Sequence, residues 1–303
     1  MLILPLFPSI IKLLLLLIRP LSVVTTFLDE LNRALLTLSP QARLTFRQKA
    51  GLATILVGII MTEVLNWDAF ERRSLGKNKA SSLRWIFKSA KISWHLLLQA
   101  SVKNIFSHYE LSHGSLMFDY TDKQRTKTTV KIPNAHKVKD KATGGYFNGQ
   151  ELVFMVLVTD KVTFPIDFRF YVPDPVLSLW RKNDNKLKMK GGKAKDRPKA
   201  PQPNHAEYPR KQDLALSMLQ AFVDAFPDFN IKGVLADALY GTGHFMDTAS
   251  AITGGAQIVS QLRANQCIAS KNRKSSLARY FSRQAGVKSK LMIRGGKEQE
   301  VTM

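Results

Sequence analysis

The chain has 303 residues, enough for two domains and a buried core, and it carries 45 Lys and Arg against 23 Asp and Glu, a net charge of +22. Such an excess points to polyanionic partners, of which nucleic acid and anionic membrane are the commonest. A single cysteine, Cys267, excludes a disulfide framework and fits a reducing cytoplasm.

The chain opens MLILPLFPSIIKLLLLLIRPLSVV. A spanning helix needs roughly 20 predominantly apolar residues, whereas Pro5, Pro8 and Lys12 interrupt this run and the unbroken part, Leu13 to Ile18, is short. No basic residue precedes the opening run ahead of Lys12, and no clear small-residue cleavage site follows. Residues 1–25 therefore read as an apolar packing segment, with a membrane anchor as the lesser alternative. The second apolar run, Ala50 to Met61, is too short to span and reads as a buried helix.

Residues 26–110 carry a helical pattern. In SWHLLLQASVKNIFSHY, Leu98, Val102, Ile105, Phe106 and Tyr109 recur at three- and four-residue steps. In the preceding NKASSLRWIFKSAK, Lys77, Lys79, Arg84, Lys88 and Lys91 surround Leu83, Trp85, Ile86 and Phe87. A basic face around a modest apolar stripe suits a helix lying on phosphates, and equally a solvated surface of an all-α domain.

The period changes after Ser112. SLMFDYT and Glu151 to Thr159 are nearly continuous apolar runs, predicting strands buried on both faces, while Phe164, Ile166, Phe168 and Phe170 alternate and predict a half-buried one. Gly144, Gly145, Asn148 and Gly149 supply the turn between them. Residues 181–211 hold 11 basic against three acidic residues, with four prolines, and predict a mobile basic loop contacting phosphates through Lys186, Lys188, Lys190, Lys193 and Lys195. The pattern then resumes with an amphipathic helix, Leu214 to Phe226, and a strand, IKGVLADALYG, ending at Asp237. A helix through Phe245 to Ile252 and a strand over Ala256 to Leu262 follow, and Gly295 and Gly296 mark a hairpin between two final strands.

Asp119 closes one predicted strand and Asp237 another, in a chain rich in phosphate-binding charge. Taken singly, an aspartate at a strand end is more often a turn-former. A pair of such ends suits two-metal phosphoryl chemistry, because hard Mg²⁺ takes oxygen ligands from one or two carboxylates plus substrate phosphates. Asp122 competes with Asp119, but it lies three residues on, past the expected strand end, and on the opposite face if the strand continues. His136, in the polar segment NAHKVKD, reads as structural, and no His/Cys cluster at zinc spacing is present.

Phe118, Asp119 and Thr121, followed by Val234, Leu235, Ala236, Asp237, Tyr240 and Gly241, resemble the two aspartate segments of DDE-type insertion-sequence transposases. The resemblance implies a ribonuclease-H-like α/β core, a mixed sheet with flanking helices over residues 111–303, preceded by an all-α, DNA-binding domain over residues 26–110. It also implies Mg²⁺ ions on Asp119 and Asp237, duplex DNA as substrate, a homodimer on DNA, and DNA contacts from Gln261, Arg263 and Asn265. The family carries its third ligand in a helix bearing Tyr, Arg, Glu and Lys, and no such series follows Asp237. Glu298 and Glu300 fall in the predicted hairpin. The expectation is a chain that stops within a β-rich insertion beginning near residue 285, truncated before the glutamate and inactive alone, or else a non-catalytic DNA-binding remnant in the cytoplasm.

Overall fold

A computed structural model describes residues 21–302 except 75, 77, 127–131, 141, 192, 264–265, 271–272, 283–285, 287 and 294–296. The apolar start, the turn at Gly295 and Gly296, and Asn265 lie outside the described residues. The chain divides into two compact units, 1–112 and 113–303.

The first unit is helical: α1 (Ser22–Leu38), α2 (Phe46–Thr62), α3 (Trp67–Arg73), α4 (Ala80–Lys88) and α5 (Trp94–Tyr109). Their starts follow local chemistry. Thr45 caps α2 reciprocally with Gln48, and Asn66 caps α3 by accepting from the amides of Asp68 and Ala69. Leu28, Leu31 and Leu35 of α1 meet Leu52 and Ile55 of α2, Phe70 of α3 and Ile86 of α4 in one core. Buried Asn32 accepts the Leu44 amide at 2.9 Å, which satisfies both groups. No single helix among the described residues is long and apolar enough to cross a membrane; α2 and α3 pass together only as a pair bent by 88°.

The second unit is built on a mixed sheet of β1 (His113–Gln124), β2 (His136–Lys139), β3 (Tyr146–Val158), β4 (Thr163–Tyr171), β5 (Asn230–Ala236) and β6 (Gln257–Ser260). β1 pairs antiparallel with β3 and parallel with β5, and β5 pairs parallel with β6. On its other edge β3 carries β2 along its first residues and β4 along the rest, both antiparallel. The order β4-β3-β1-β5-β6 is the ribonuclease-H-like arrangement. Between β4 and β5 come α6 (Pro175–Met189) and α7 (Lys211–Ala225), and α8 (Gly243–Ile252) joins β5 to β6. Beyond β6 lie β7 (Cys267–Ser270), β8 (Arg273–Ser276), the short α9 (Leu277–Phe281) and the antiparallel pair β9 (Lys288–Ile293) and β10 (Lys297–Thr302).

One face of the sheet is covered. Leu116, Phe118, Val153, Met155, Leu157 and Val234 are buried there with Met218, Leu219 and Phe222 of α7, and Phe245 of α8 meets Phe118 edge to face at 6.1 Å. The opposite face corrects the expectation that β1 and β3 are buried on both sides: Met117 of β1 is 40% exposed and β3 alternates buried with half-buried residues, and Leu235 of β5 and Val259 of β6 are exposed on the same face. Continuous hydrophobicity in these strands reflects an apolar face without a layer on it among the described residues.

Three further expectations change. β1 continues to Gln124, so Asp122 lies within the strand, and β3 begins at Tyr146, so Asn148 and Gly149 belong to it rather than to a turn. The basic stretch 181–211 is not a loop from its start. Asp174 caps α6 through the amides of Val176 and Leu177, Pro175 occupies its first position, and a 3₁₀ turn follows at Ala194–Asp196.

Candidate active site

β1 and β5 run side by side in parallel, and their last paired rung is Phe118 with Ala236. The next residue on each strand line is an aspartate, so Asp119 and Asp237 stand at neighbouring positions at one end of the sheet. Each is tied locally. Asp119 Oδ1 accepts the Tyr120 amide at 2.7 Å, and Asp237 Oδ1 accepts the Leu239 amide at 2.9 Å. Ser260 Oγ donates to the Asp237 carbonyl at 2.7 Å, fixing the end of β5 against the end of β6. Gly241 presses on the same edge: a Cβ there would overlap the Gln261 carbonyl oxygen, so this turn admits only glycine.

Beneath the two aspartates lies Tyr240, fully buried against Phe118 and Phe245 at ring separations of 6.2 and 5.1 Å. Its hydroxyl has no hydrogen-bond partner among the described residues. Burial raises its pKa strongly, and the charges of Asp237 and Asp119 both add to the rise. Both carboxylates thus raise the cost of ionising one buried phenol.

Asp122 faces differently. Its cross-strand partner is Glu151, whereas Asp119 faces Phe154, and the odd spacing puts Asp119 and Asp122 on opposite faces of β1. Glu151 does not complete the aspartate pair either. His136 Nε2 meets its carboxylate at 3.0 Å and Lys211 Nζ donates to it at 2.5 Å, so both oxygens are engaged. Burial opposes the charge on Glu151, yet the hydrogen bonds from His136 and Lys211 hold its pKa below the usual carboxylate range. Burial likewise works against protonated His136, but the Glu151 and Asn134 contacts outweigh it and raise the imidazole pKa. The Lys211 ammonium also lies 3.9 Å from the Tyr120 ring centroid.

Lys211 opens onto a cleft of about 700 Å³ bordered by Tyr171, Arg210, Leu239, Thr242 and Arg263. Arg263 therefore sits at the same end of the sheet as Asp237. Lys186 and Lys188 lie exposed on α6, Lys190 caps its C-terminus, and Lys193 and Lys195 follow it, all on the excursion between β4 and α7. Lys188 is engaged there, 2.8 Å from buried Asp184, which also accepts from Arg197 at 2.7 Å. Sequence reasoning left Glu151, Lys211 and Tyr171 without roles. Only Glu151 carried a signal, as a charge opening an otherwise apolar strand.

The donor set fits a hard divalent cation in part. Asp119 and Asp237 each keep one carboxylate oxygen without a hydrogen bond among the described residues, and oxygen is the ligand Mg²⁺ prefers. No group of three or more His, Cys, Asp or Glu able to hold a metal occurs among the described residues. Two carboxylates can anchor one ion. They do not by themselves anchor a pair.

A ribonuclease-H-like sheet with an acidic pair on adjacent parallel strands, one within β1 and one just past the end of β5, defines a class of α/β proteins built for phosphodiester chemistry. The family profile described as DDE superfamily endonuclease matches residues 78–294, and the chain belongs to that family, an enzyme family of nuclease and polynucleotidyl-transferase type. The match takes in α4 and α5 as well as the sheet. A search of curated proteins found no match to the chain.

Proposed function

We propose that the chain is an insertion-sequence transposase, binding duplex DNA at the element's ends and acting on its strands with Mg²⁺ held by Asp119 and Asp237. The observation that carries this reading is the register of β1 and β5, whose last rung, Phe118 with Ala236, is followed on each strand by an aspartate, in a chain of the DDE superfamily endonuclease family. A bound divalent cation supplies activation of the attacking oxygen and stabilisation of the leaving one. The chain's own residues do the rest. Asp119 and Asp237 present carboxylate oxygens from a rigid sheet end, the Leu239 amide and Ser260 keep Asp237 in place, and Arg263 and the lysines after Lys186 meet the phosphates.

A second reading, a DNA-binding protein without cleavage activity, is favoured by the lack of a third metal-ligating side chain beside the pair among the described residues. Cleavage of duplex DNA carrying the element's ends separates the two. It is measured in Mg²⁺ with the purified chain. The transposase reading predicts cleavage that Asp119→Ala or Asp237→Ala abolishes while DNA binding persists. The second reading predicts binding without cleavage throughout. Cleavage that survives both substitutions contradicts both.

A further inference from the structure

Two consecutive residues of one helix reach both aspartates. Asp119 Oδ1 accepts the amide of Tyr120, and Asp237 Oδ1 accepts the amide of Leu239. Each of those amide-bearing residues is held in turn by the start of α7. The Lys211 ammonium lies 3.9 Å from the Tyr120 ring centroid, and Gln212 Nε2 donates to the Leu239 carbonyl at 2.7 Å. Lys211 and Gln212 are the first two residues of α7 and stand about 100° apart around its axis, so one side chain is directed to β1 and the other to the turn after β5.

That helix start is itself fixed. Asp213 accepts from the Arg210 amide at 3.0 Å and from its Nε and Nη2 at 2.9 and 2.8 Å, which closes the first turn of α7. The Lys211 ammonium is held on its other sides by the Glu151 carboxylate, which His136 also meets, and by the Tyr171 ring, whose centroid is 5.0 Å away. Glu151 neutralises the ammonium, so Lys211 can grip the Tyr120 ring without adding net positive charge near the acidic pair. Two carboxylates at neighbouring positions repel each other while nothing is bound between them. A separation set by the scaffold spares an incoming cation the cost of drawing them together.

We infer that Lys211 and Gln212 are positioning residues for the metal-binding pair: through Tyr120 and Leu239 the start of α7 fixes Asp119 and Asp237 at the separation a divalent cation needs. This rests on the reading of the two aspartates as metal ligands. Neither Lys211 nor Gln212 touches the ion.

The test is the affinity of the whole purified chain for Mn²⁺, titrated by electron paramagnetic resonance. Loss of a group that orients a metal ligand typically weakens binding 10- to 100-fold, so Lys211→Met and Gln212→Met should each weaken it by roughly tenfold. The sign is diagnostic for Lys211→Met, because removing a positive charge would by Coulomb's law alone tighten the binding of a cation. Lys211→Arg, which keeps the charge, the donor and the contact with the Tyr120 ring, should recover most of the affinity. Leu157→Ala, a truncation in the core at a fully buried position away from these contacts, should leave it at the wild-type value and so separate positioning from general destabilisation. If circular dichroism shows Lys211→Met unfolded, the uncharged Gln212→Met decides alone. Affinity that is unchanged or tighter in Gln212→Met, or in a folded Lys211→Met, overturns the inference, as does an equal loss in Leu157→Ala. Mn²⁺ binding by the wild-type chain that is absent, or indifferent to Asp119→Asn and Asp237→Asn, overturns the metal reading itself and the inference with it.

Discussion

At the scale of single residues, the most constrained group outside the aspartate pair is Glu151, clamped between His136 and Lys211 with side chains only 12–14% exposed. Removing one partner of such a cluster leaves the others buried without compensation, so Glu151→Ala should cost about 3 kcal/mol of stability, measurable by urea unfolding. The cluster also has a pH signature. His136 has its pKa raised above 6.5, so its contribution is complete below 6.5 and is lost as pH rises through the folded value. Glu151 has its pKa lowered below 4.5, so its contribution is complete above 4.5 and is lost as pH falls through the folded value. Both are present in full between pH 4.5 and 6.5. The difference in melting temperature between the wild-type chain and His136→Ala should therefore be largest in that window and shrink above the histidine range. A difference that is flat with pH would mean that the imidazole acts only as a packing group.

At the scale of elements, the two faces of β1 make opposite demands on neighbouring residues. Leu116 is fully buried on the covered face while Met117 points to the open one. Leu116→Ala should cost roughly 3 kcal/mol through lost burial and a cavity, and Met117→Ala less than about 1 kcal/mol, checked by chemical denaturation. Comparable losses would mean that another layer covers the open face. The apolar strands β1, β3, β4, β5 and β6 were legible in the sequence, because apolar runs of this length bounded by turn residues have few other solutions, whereas the polar β2, β7 and β8 carry no such run and were missed. The exposure of the apolar strands was not legible, because a strand that awaits a covering layer and a strand that has one share the same hydrophobic pattern. The helix α6 was missed for a different reason. Its charge density resembles that of an unfolded excursion, and the decisive local signal was the Asp174–Pro175 start rather than composition. Asp237 does follow the end of β5, as its local turn residues suggest, whereas Asp119 lies within β1, which runs on to Gln124 because its pairing with β3 extends beyond the apolar run. The Glu151–His136–Lys211 cluster joins residues on β2, β3 and α7 that only the fold brings together.

At the scale of the whole molecule, the net charge of +22 governs how the proposed DNA complex should respond to salt. Each phosphate neutralised contributes about −0.9 to the slope of log affinity against log salt concentration. Binding to duplex DNA should weaken steeply as salt rises, and replacing Lys186, Lys190, Lys193 and Lys195 by alanine should flatten the slope by about 0.9 for each lysine that meets a phosphate, as read by fluorescence anisotropy. Lys188→Ala should change it least, because that ammonium is already paired with Asp184. A slope near zero would assign the charge to something other than nucleic acid.

The central claim is that Asp119 and Asp237 form one metal-binding pair, and Mn²⁺ binding to the purified chain, followed by electron paramagnetic resonance, tests it without requiring turnover. The account predicts that the wild-type chain binds Mn²⁺, that Asp119→Asn and Asp237→Asn each remove most of that binding, and that Asp122→Asn, on the opposite face of β1, leaves it in place. Mn²⁺ binding that survives Asp119→Asn and Asp237→Asn, or that is lost with Asp122→Asn instead, would contradict it.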